Sequence, residues 1–363
     1  MRHWAMVLHF YQPPTQEDDI TNNVLNFCYL PLLRMLVQKS GYGLTVNISG
    51  CLLLQLQKLG SGEFFELTKE LIKEGKIEII NSVLDHPLMP VMESDVTLRQ
   101  IKVNSKVLKE LLGVSKTQGF FPPELAVDSP ILDLIKSSYV VVDERALDKP
   151  DPIVKYHDKY LVVNNRAIGE IFRSYPDQLG VETVMERLQN GLTITANDAE
   201  LFGHHYTERL QVLADLLSSS EVKFITVAEA IKRYGDVATT VTEIKPSTWQ
   251  NNKGFDLWTR NRLQQKYLKL LQTVHAMKYN RELFDRATSS CYLYWLSNWP
   301  WWHPGLVEKG ASNLIKSVKN AKAEAVYQDF IQSMWRYHKS GKVEMNYQKY
   351  GEVRKLDNDY KQL

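Results

Sequence analysis

Short apolar strands alternate with amphipathic helical stretches along most of the chain, up to about residue 234. Trp4–Leu8, Leu44–Ile48, Lys76–Ser82, Lys116–Phe121, Tyr139–Asp143, Leu192–Asn197 and Val222–Thr226 read as strands, with Tyr160–Asn164 and Glu170–Phe172 as further short ones. Helical spacing of apolar residues falls between them, as at Val24–Gln38 (interrupted by Pro31), Glu63–Glu74, Asp95–Leu112 and Thr207–Leu217. This alternation predicts an α/β fold with a mainly parallel sheet, open or closed into a barrel. In a barrel the C-terminal ends of all strands share one face, and chemistry is kept there.

Those strand ends are unusual in composition. The first runs into His9-Phe10-Tyr11-Gln12-Pro13-Pro14, the third into Asp85-His86-Pro87-Leu88-Met89-Pro90, and the fourth into Pro122-Pro123-Glu124. The strand Leu192–Asn197 alternates apolar and polar residues and then breaks into Asp198, Glu200, Gly203, His204 and His205. The two prolines before Glu124 fix the backbone φ near −65° and suit a side chain whose position must not wander. Carboxylates at two strand ends are what glycoside hydrolysis requires. Each residue also has a plainer reading. Glu124 fits a salt-bridged strand end, Asp198 a turn or helix cap, and His9 a satisfied core histidine. His86 is open to either reading, and His204 and His205 cannot both face one point on a strand.

Composition narrows the partners. Lys plus Arg number 44 and Asp plus Glu 42, a net charge of +2. That balance argues against nucleic acid and accommodates a neutral substrate. Cys28, Cys51 and Cys291 make no CxxC pair and no zinc spacing, and read as reduced core thiols of a cytoplasmic protein. The apolar run near the N-terminus is too short for a secretory signal, and no segment approaches the roughly 18 apolar residues of a membrane span.

After about residue 239 the texture becomes helical, at Asp256–Met277, Arg281–Ala287 and Leu306–Tyr337, with a charged tail from Lys339. Residues 1–240 are thus expected to form the catalytic barrel, and residues 241–363 a helical region completing its cleft. Six of the eight tryptophans fall between Trp249 and Trp302. Such a cluster is core by default, but aromatic faces also stack on sugar rings.

Taken in order, HFYQPP, DHPLMP, GFFPPELAVD (Gly119–Asp128) and NDAELFGHH (Asn197–His205) resemble the motifs of glycoside hydrolase family 57. The segments Pro246–Trp258 and Ser289–Ala311 fit the family's C-terminal part, so the resemblance runs to about residue 335. It implies a distorted, TIM-like (β/α)7 barrel with a helical C-terminal region, and a retaining enzyme acting on α-glucans, as α-amylase, 4-α-glucanotransferase or branching enzyme. Glu124 matches the family's nucleophile and Asp198 its general acid/base. His9, Gln12, His86, Phe121, Glu200, His204 and His205 match motif positions that line the sugar site, and Trp249, Trp258 and Trp295 its aromatic subsites. Phe121 stands where the third motif often has tryptophan, and the chain is short for the family.

The resemblance implies no cofactor and no metal, and a maltooligosaccharide or α-glucan partner. Retaining chemistry asks for carboxyls about 5–5.5 Å apart and an acid that keeps its proton near neutrality. Asp198 is therefore expected to be buried or to face another carboxylate. Two other classes stay open. One is a metal-dependent deacetylase or mannosidase-like hydrolase on a related barrel, read from Asp85-His86 and His204-His205. The other is a glucan-binding protein without activity.

Overall fold

The computed structural model describes residues 1–174, 179–250 and 253–343. Among the described residues ten strands form: β1 (Arg2–Phe10), β2 (Leu44–Ile48), β3 (Ile77–Ile80), β4 (Gly119–Phe120), β5 (Tyr139–Asp143), β6 (Ile153–Tyr156), β7 (Lys159–Asn164), β8 (Gly191–Asp198), β9 (Val222–Phe224) and β10 (Thr239–Val241). One sheet runs β3-β2-β1-β8, and a second runs β10-β6-β7-β5-β4. Two seams join them into a ring of seven strands. At the first, Asn81 bridges Phe120 in parallel, with Asn81 N donating to Gly119 O at 2.9 Å and Phe121 N to Asn81 O at 2.8 Å. At the second, Asn165 N donates to Ile194 O at 2.8 Å and Ala196 N to the Asn164 side chain at 2.9 Å. The order around the ring is β1-β2-β3-β4-β5-β7-β8, and β9 pairs with the start of β1.

Side-chain alternation sorts each strand between two cores. Trp4, Met6, Leu8 and Phe10 of β1 face the surrounding helices, while Ala5 and Val7 fill the barrel with Ile194 and Ala196 of β8. In register, His9 lies beside Asp198 on one side and Asn47 on the other. The period of two therefore carries His9, Asn47 and Asp198 to one layer at the C-terminal mouth.

Several expectations shift. Pro31 does not interrupt its helix. The chain passes from Asp18–Val24 through a π-helical stretch, Leu25–Tyr29, into the helix Leu30–Gln38, where Pro31 occupies the first turn. The π-helical stretch just before it makes room for the ring and for the missing N–H. Glu170–Phe172 is not a strand, because residues Ile171–Ser174 turn into a short helix. The strand Ile153–Tyr156 was not anticipated, and it pairs antiparallel with β7 outside the ring. Asp256–Met277 splits into Asp256–Thr259 and Arg262–His275, because Asn261 between them accepts from Leu263 N and Gln264 N as a helix cap. Leu306–Tyr337 likewise splits into Pro304–Ser317 and Ala321–His338, the second capped by Asn320. These helices enclose their own core around Trp258, Tyr267, Tyr292 and Phe330. Most of the charged tail lies outside the described residues. Among those described, no helix is long and apolar enough to cross a membrane.

Candidate active site

Glu124 sits two residues beyond Pro122, in a backbone turn with φ 59° and ψ 13°, and Leu125 follows at φ 47°. A left-handed conformation is uncommon for residues other than glycine and costs about 1–3 kcal/mol at each. The turn aims the carboxyl at two hydrogen-bond partners from the C-terminal region. Trp249 Nε1 donates to Oε2 at 2.8 Å, and Ser290 Oγ lies 3.0 Å from Oε1. Burial pushes the Glu124 carboxyl up to about 7, against the pull of these two hydrogen bonds; the Asp198 charge adds to the rise.

Asp198 ends β8, and its Oδ2 accepts from Arg173 Nη2 at 3.0 Å. Asp198 was expected to be buried or to face another carboxylate; its side chain stays 28 % exposed, and its charge acts on the carboxyls of both Glu124 and Glu200. Full burial falls on Glu200, while Glu124 is half-buried like Asp198. The chain leaves β8 as a tight 3-10 turn, Ala199–Leu201, so Glu200 is not on an extended segment. Its carboxylate accepts from Tyr29 Oη and from Gln12 Nε2 at 3.3 Å. Burial, and then the Asp198 charge, push it up to about 8.

Arg173 joins the two carboxylates. It pairs with Asp198, and its guanidinium lies 5.8 Å over the ring of Trp249, the residue that holds Glu124. It was invisible in the sequence because its segment read as a strand.

His9 and His86 lie edge to edge behind Glu124. Their rings are inclined by only 24°, with Nε2 atoms 3.1 Å apart. His9 Nδ1 is 2.7 Å from Asn47 Oδ1, and His86 Nδ1 is 3.1 Å from Ser290 Oγ. Phe121 stacks on His9 at 4.5 Å, and Tyr11 on His86 at 4.0 Å. His86 itself has φ 56°, and its carbonyl accepts from Ser290 N. Burial lowers the basicity of both imidazoles, His86 the more.

The remaining expected residues separate. Trp249 joins the site, edge-on to His9 at 6.0 Å and to Phe121 at 5.7 Å. Trp258 is fully buried in the helical core, 6.2 Å from Tyr294, and Trp295 packs on Tyr292 and His303. Gln12 is buried on Glu200 and Tyr29. His204 and His205 are both exposed, and His205 feels the charges of Asp198 and Arg173. Asn47, Arg173 and Ser290 had not been singled out. Asn47 was readable from its parity within β2, and Ser290 from its place in the Ser289–Ala311 segment. Among the described residues, no group of three or more His, Cys, Asp or Glu side chains is arranged to hold a metal ion.

The model of glycosyl hydrolase family 57 matches residues 4–243, two thirds of the chain and nearly all of the ring. The chain belongs to this family. Alpha-amylase 1 of Dictyoglomus thermophilum is 26% identical over 145 residues, which is 39% of this chain and 21% of that protein. A putative alpha-amylase of Methanocaldococcus jannaschii is 22% identical over 275 residues, or 65% of this chain and 58% of that one. The matched segments thus span between about a fifth and three fifths of those relatives. The fold recurs in the family 57 branching enzyme of Pyrococcus horikoshii, with a TM-score of 0.73 at 13% identity over 96% of this chain and 94% of that one. It recurs also in the 4-alpha-glucanotransferase of Thermococcus litoralis, with a TM-score of 0.68 at 15% identity over 87% and 59% of the two chains. The family 57 fold is a distorted TIM-like barrel, and the seven-stranded ring is its form here.

Proposed function

We propose that this chain cleaves or transfers α-glucans with retention, through a glycosyl-enzyme on Glu124 with Asp198 as general acid/base. One observation supports it above the rest. Glu124 is held by two hydrogen-bond partners in a strained turn, and Trp249 and Arg173 connect it to Asp198. The relatives' names point to the substrate class.

Glu124 Oε attacks the anomeric carbon as the leaving oxygen takes the Asp198 proton. The glycosidic bond breaks and an ester forms. The negative charge passes from Glu124 to Asp198, where Arg173 meets it at 3.0 Å. Asp198 then takes a proton from water or from an acceptor sugar, which attacks the ester and restores Glu124. Of the two exposed histidines, His205 feels the Asp198 charge and is assigned to the sugar beside it. Trp249 is the aromatic residue of the site itself. The division into a barrel at 1–240 and a helical region completing the site agrees with Trp249 and Ser290 reaching Glu124 from beyond residue 240.

Incubation with maltooligosaccharides tests the reading. Shorter products alone mean hydrolysis, and a ladder that includes longer sugars means transfer. No turnover by folded protein would sink it. Full activity in the presence of chelators is expected; loss of activity on removing a stoichiometric metal would favour the metal-dependent class instead.

A further inference from the structure

The buried histidines form part of an unbroken line of hydrogen bonds. It runs from Asn47 Oδ1 to His9 Nδ1 (2.7 Å), from His9 Nε2 to His86 Nε2 (3.1 Å), from His86 Nδ1 to Ser290 Oγ (3.1 Å), and from Ser290 Oγ to Glu124 Oε1 (3.0 Å). Four links need four protons. Two neutral imidazoles and one hydroxyl supply three. The direction is set at the far end. Asn47 Nδ2 is spent on the Ile80 carbonyl at 3.3 Å, so Asn47 Oδ1 faces His9 and can only accept. His9 then carries its proton on Nδ1 and accepts at Nε2. His86 must donate from Nε2 and accept at Nδ1. Ser290 must donate to His86, and its oxygen is left to accept from Glu124.

We propose that Asn47, acting through His9, His86 and Ser290, is a positioning residue for the nucleophile's proton: the line is complete only while Glu124 is protonated, so it holds the free enzyme with a neutral nucleophile. This rests on Glu124 being the nucleophile. When Glu124 ionises, its proton leaves, Ser290 turns its O–H toward the carboxylate, and the link to His86 is broken. The alternative is to keep that proton in the line. The carboxyl O–H then breaks, Ser290 receives that proton and passes its own to His86 Nδ1, giving a carboxylate and an imidazolium without change in total charge. The groups facing the line bear on both outcomes. Asp198, Arg173 and Cys291 face Glu124, and Asp198 also faces His9. Among the described residues, the Tyr11 ring stacks on His86, the His9 ring abuts it, and Ser290 bonds its Nδ1.

Two measurements test this. Nitrogen-15 NMR of histidine-labelled enzyme, below the acid limb of the kcat/KM profile, should show His9 protonated on Nδ1 and His86 on Nε2 alone. His86 carrying its proton on Nδ1 there would overturn the proposal without bearing on the nucleophile. The second measurement is the pH profile of Asn47→Asp. A carboxylate at that end makes His9 an imidazolium; the link from His9 Nδ1 to residue 47 keeps its direction and the other three reverse, so that Ser290 donates to an ionised Glu124. The acid limb should then fall by about one pH unit, the worth of one hydrogen bond to a charged group. In a Ser290→Ala background the same substitution should give no downward shift. Through-space repulsion alone predicts the opposite sign, so a rise, or an equal fall without Ser290, would overturn the relay. If Asn47→Asp does not fold, the histidine tautomers of the unaltered enzyme decide. Loss of turnover in every form, with the tautomers as stated, would refute the nucleophile and leave the relay standing.

Discussion

Trp249 holds Glu124 twice. Its indole N–H donates to the carboxylate at 2.8 Å, and its backbone N–H donates to the Glu124 carbonyl at 3.0 Å. The second bond anchors the strained turn, and the first sets the carboxylate's charge. Trp249→Phe removes only the first. A donor to the charged form lowers a carboxyl's pKa, so its loss raises it. In the proposed mechanism Glu124 must be ionised to attack, and it lies at about 7, so kcat/KM should fall as pH drops through that value. In Trp249→Phe the limb should move up by about one unit, with activity at pH 7 down about fivefold. An unmoved limb would count against Trp249 tuning the nucleophile.

Glu124→Gln should abolish turnover by several orders of magnitude and leave the fold intact. It should also change the dependence of stability on pH. Glu124 rises from 4.5 to about 7 in the folded protein. Between these values the folded state binds the extra proton, so stability falls as pH rises across this window. The glutamine is free of this penalty. Thermal denaturation should show the variant gaining on the parent between pH 5 and pH 8, by up to about 3 kcal/mol. A constant difference would contradict the burial of Glu124.

The roles of the two carboxylates separate by azide rescue. An activated aryl glycoside leaves without a proton, and azide attacks without a base. Asp198→Ala should therefore act poorly on natural glucans but yield the α-glycosyl azide from the activated substrate. Glu124→Ala should give the inverted β-azide. The opposite pairing of products would exchange the roles.

Arg173→Met should lower kcat on natural glucans by about tenfold or more, since the aspartate formed as Asp198 gives up its proton loses its partner. With an activated aryl glycoside the loss in the first step should shrink. An equal loss on both substrates would make Arg173 a structural residue instead.

The ring was legible in the sequence because its strands are short, apolar and separated by helices with clear spacing. Parity alone carries His9 and Asp198 to one layer, and the same rule applied to Thr45 and Asn47 would have added Asn47. The paired prolines marked Glu124 as anchored. The left-handed turn after them was not legible, since neither Glu124 nor Leu125 favours it and only the surrounding contacts hold it. Arg173 was hidden by a four-residue helix that reads as a β-rich triplet. Trp258 matched an aromatic motif position yet belongs to the helical core, a distinction that burial makes and spacing cannot.

The hydrogen-bond partners of Glu124 lie 125 and 166 residues further along the chain. The ring and both carboxylates are encoded before residue 199. A growing polypeptide can therefore close its barrel well before the nucleophile has a partner. Until Trp249 and then Ser290 leave the ribosome, Glu124 lacks the contacts that fix its charge and direction. Docking of the C-terminal region thus completes a carboxyl that the ring alone leaves without its partners.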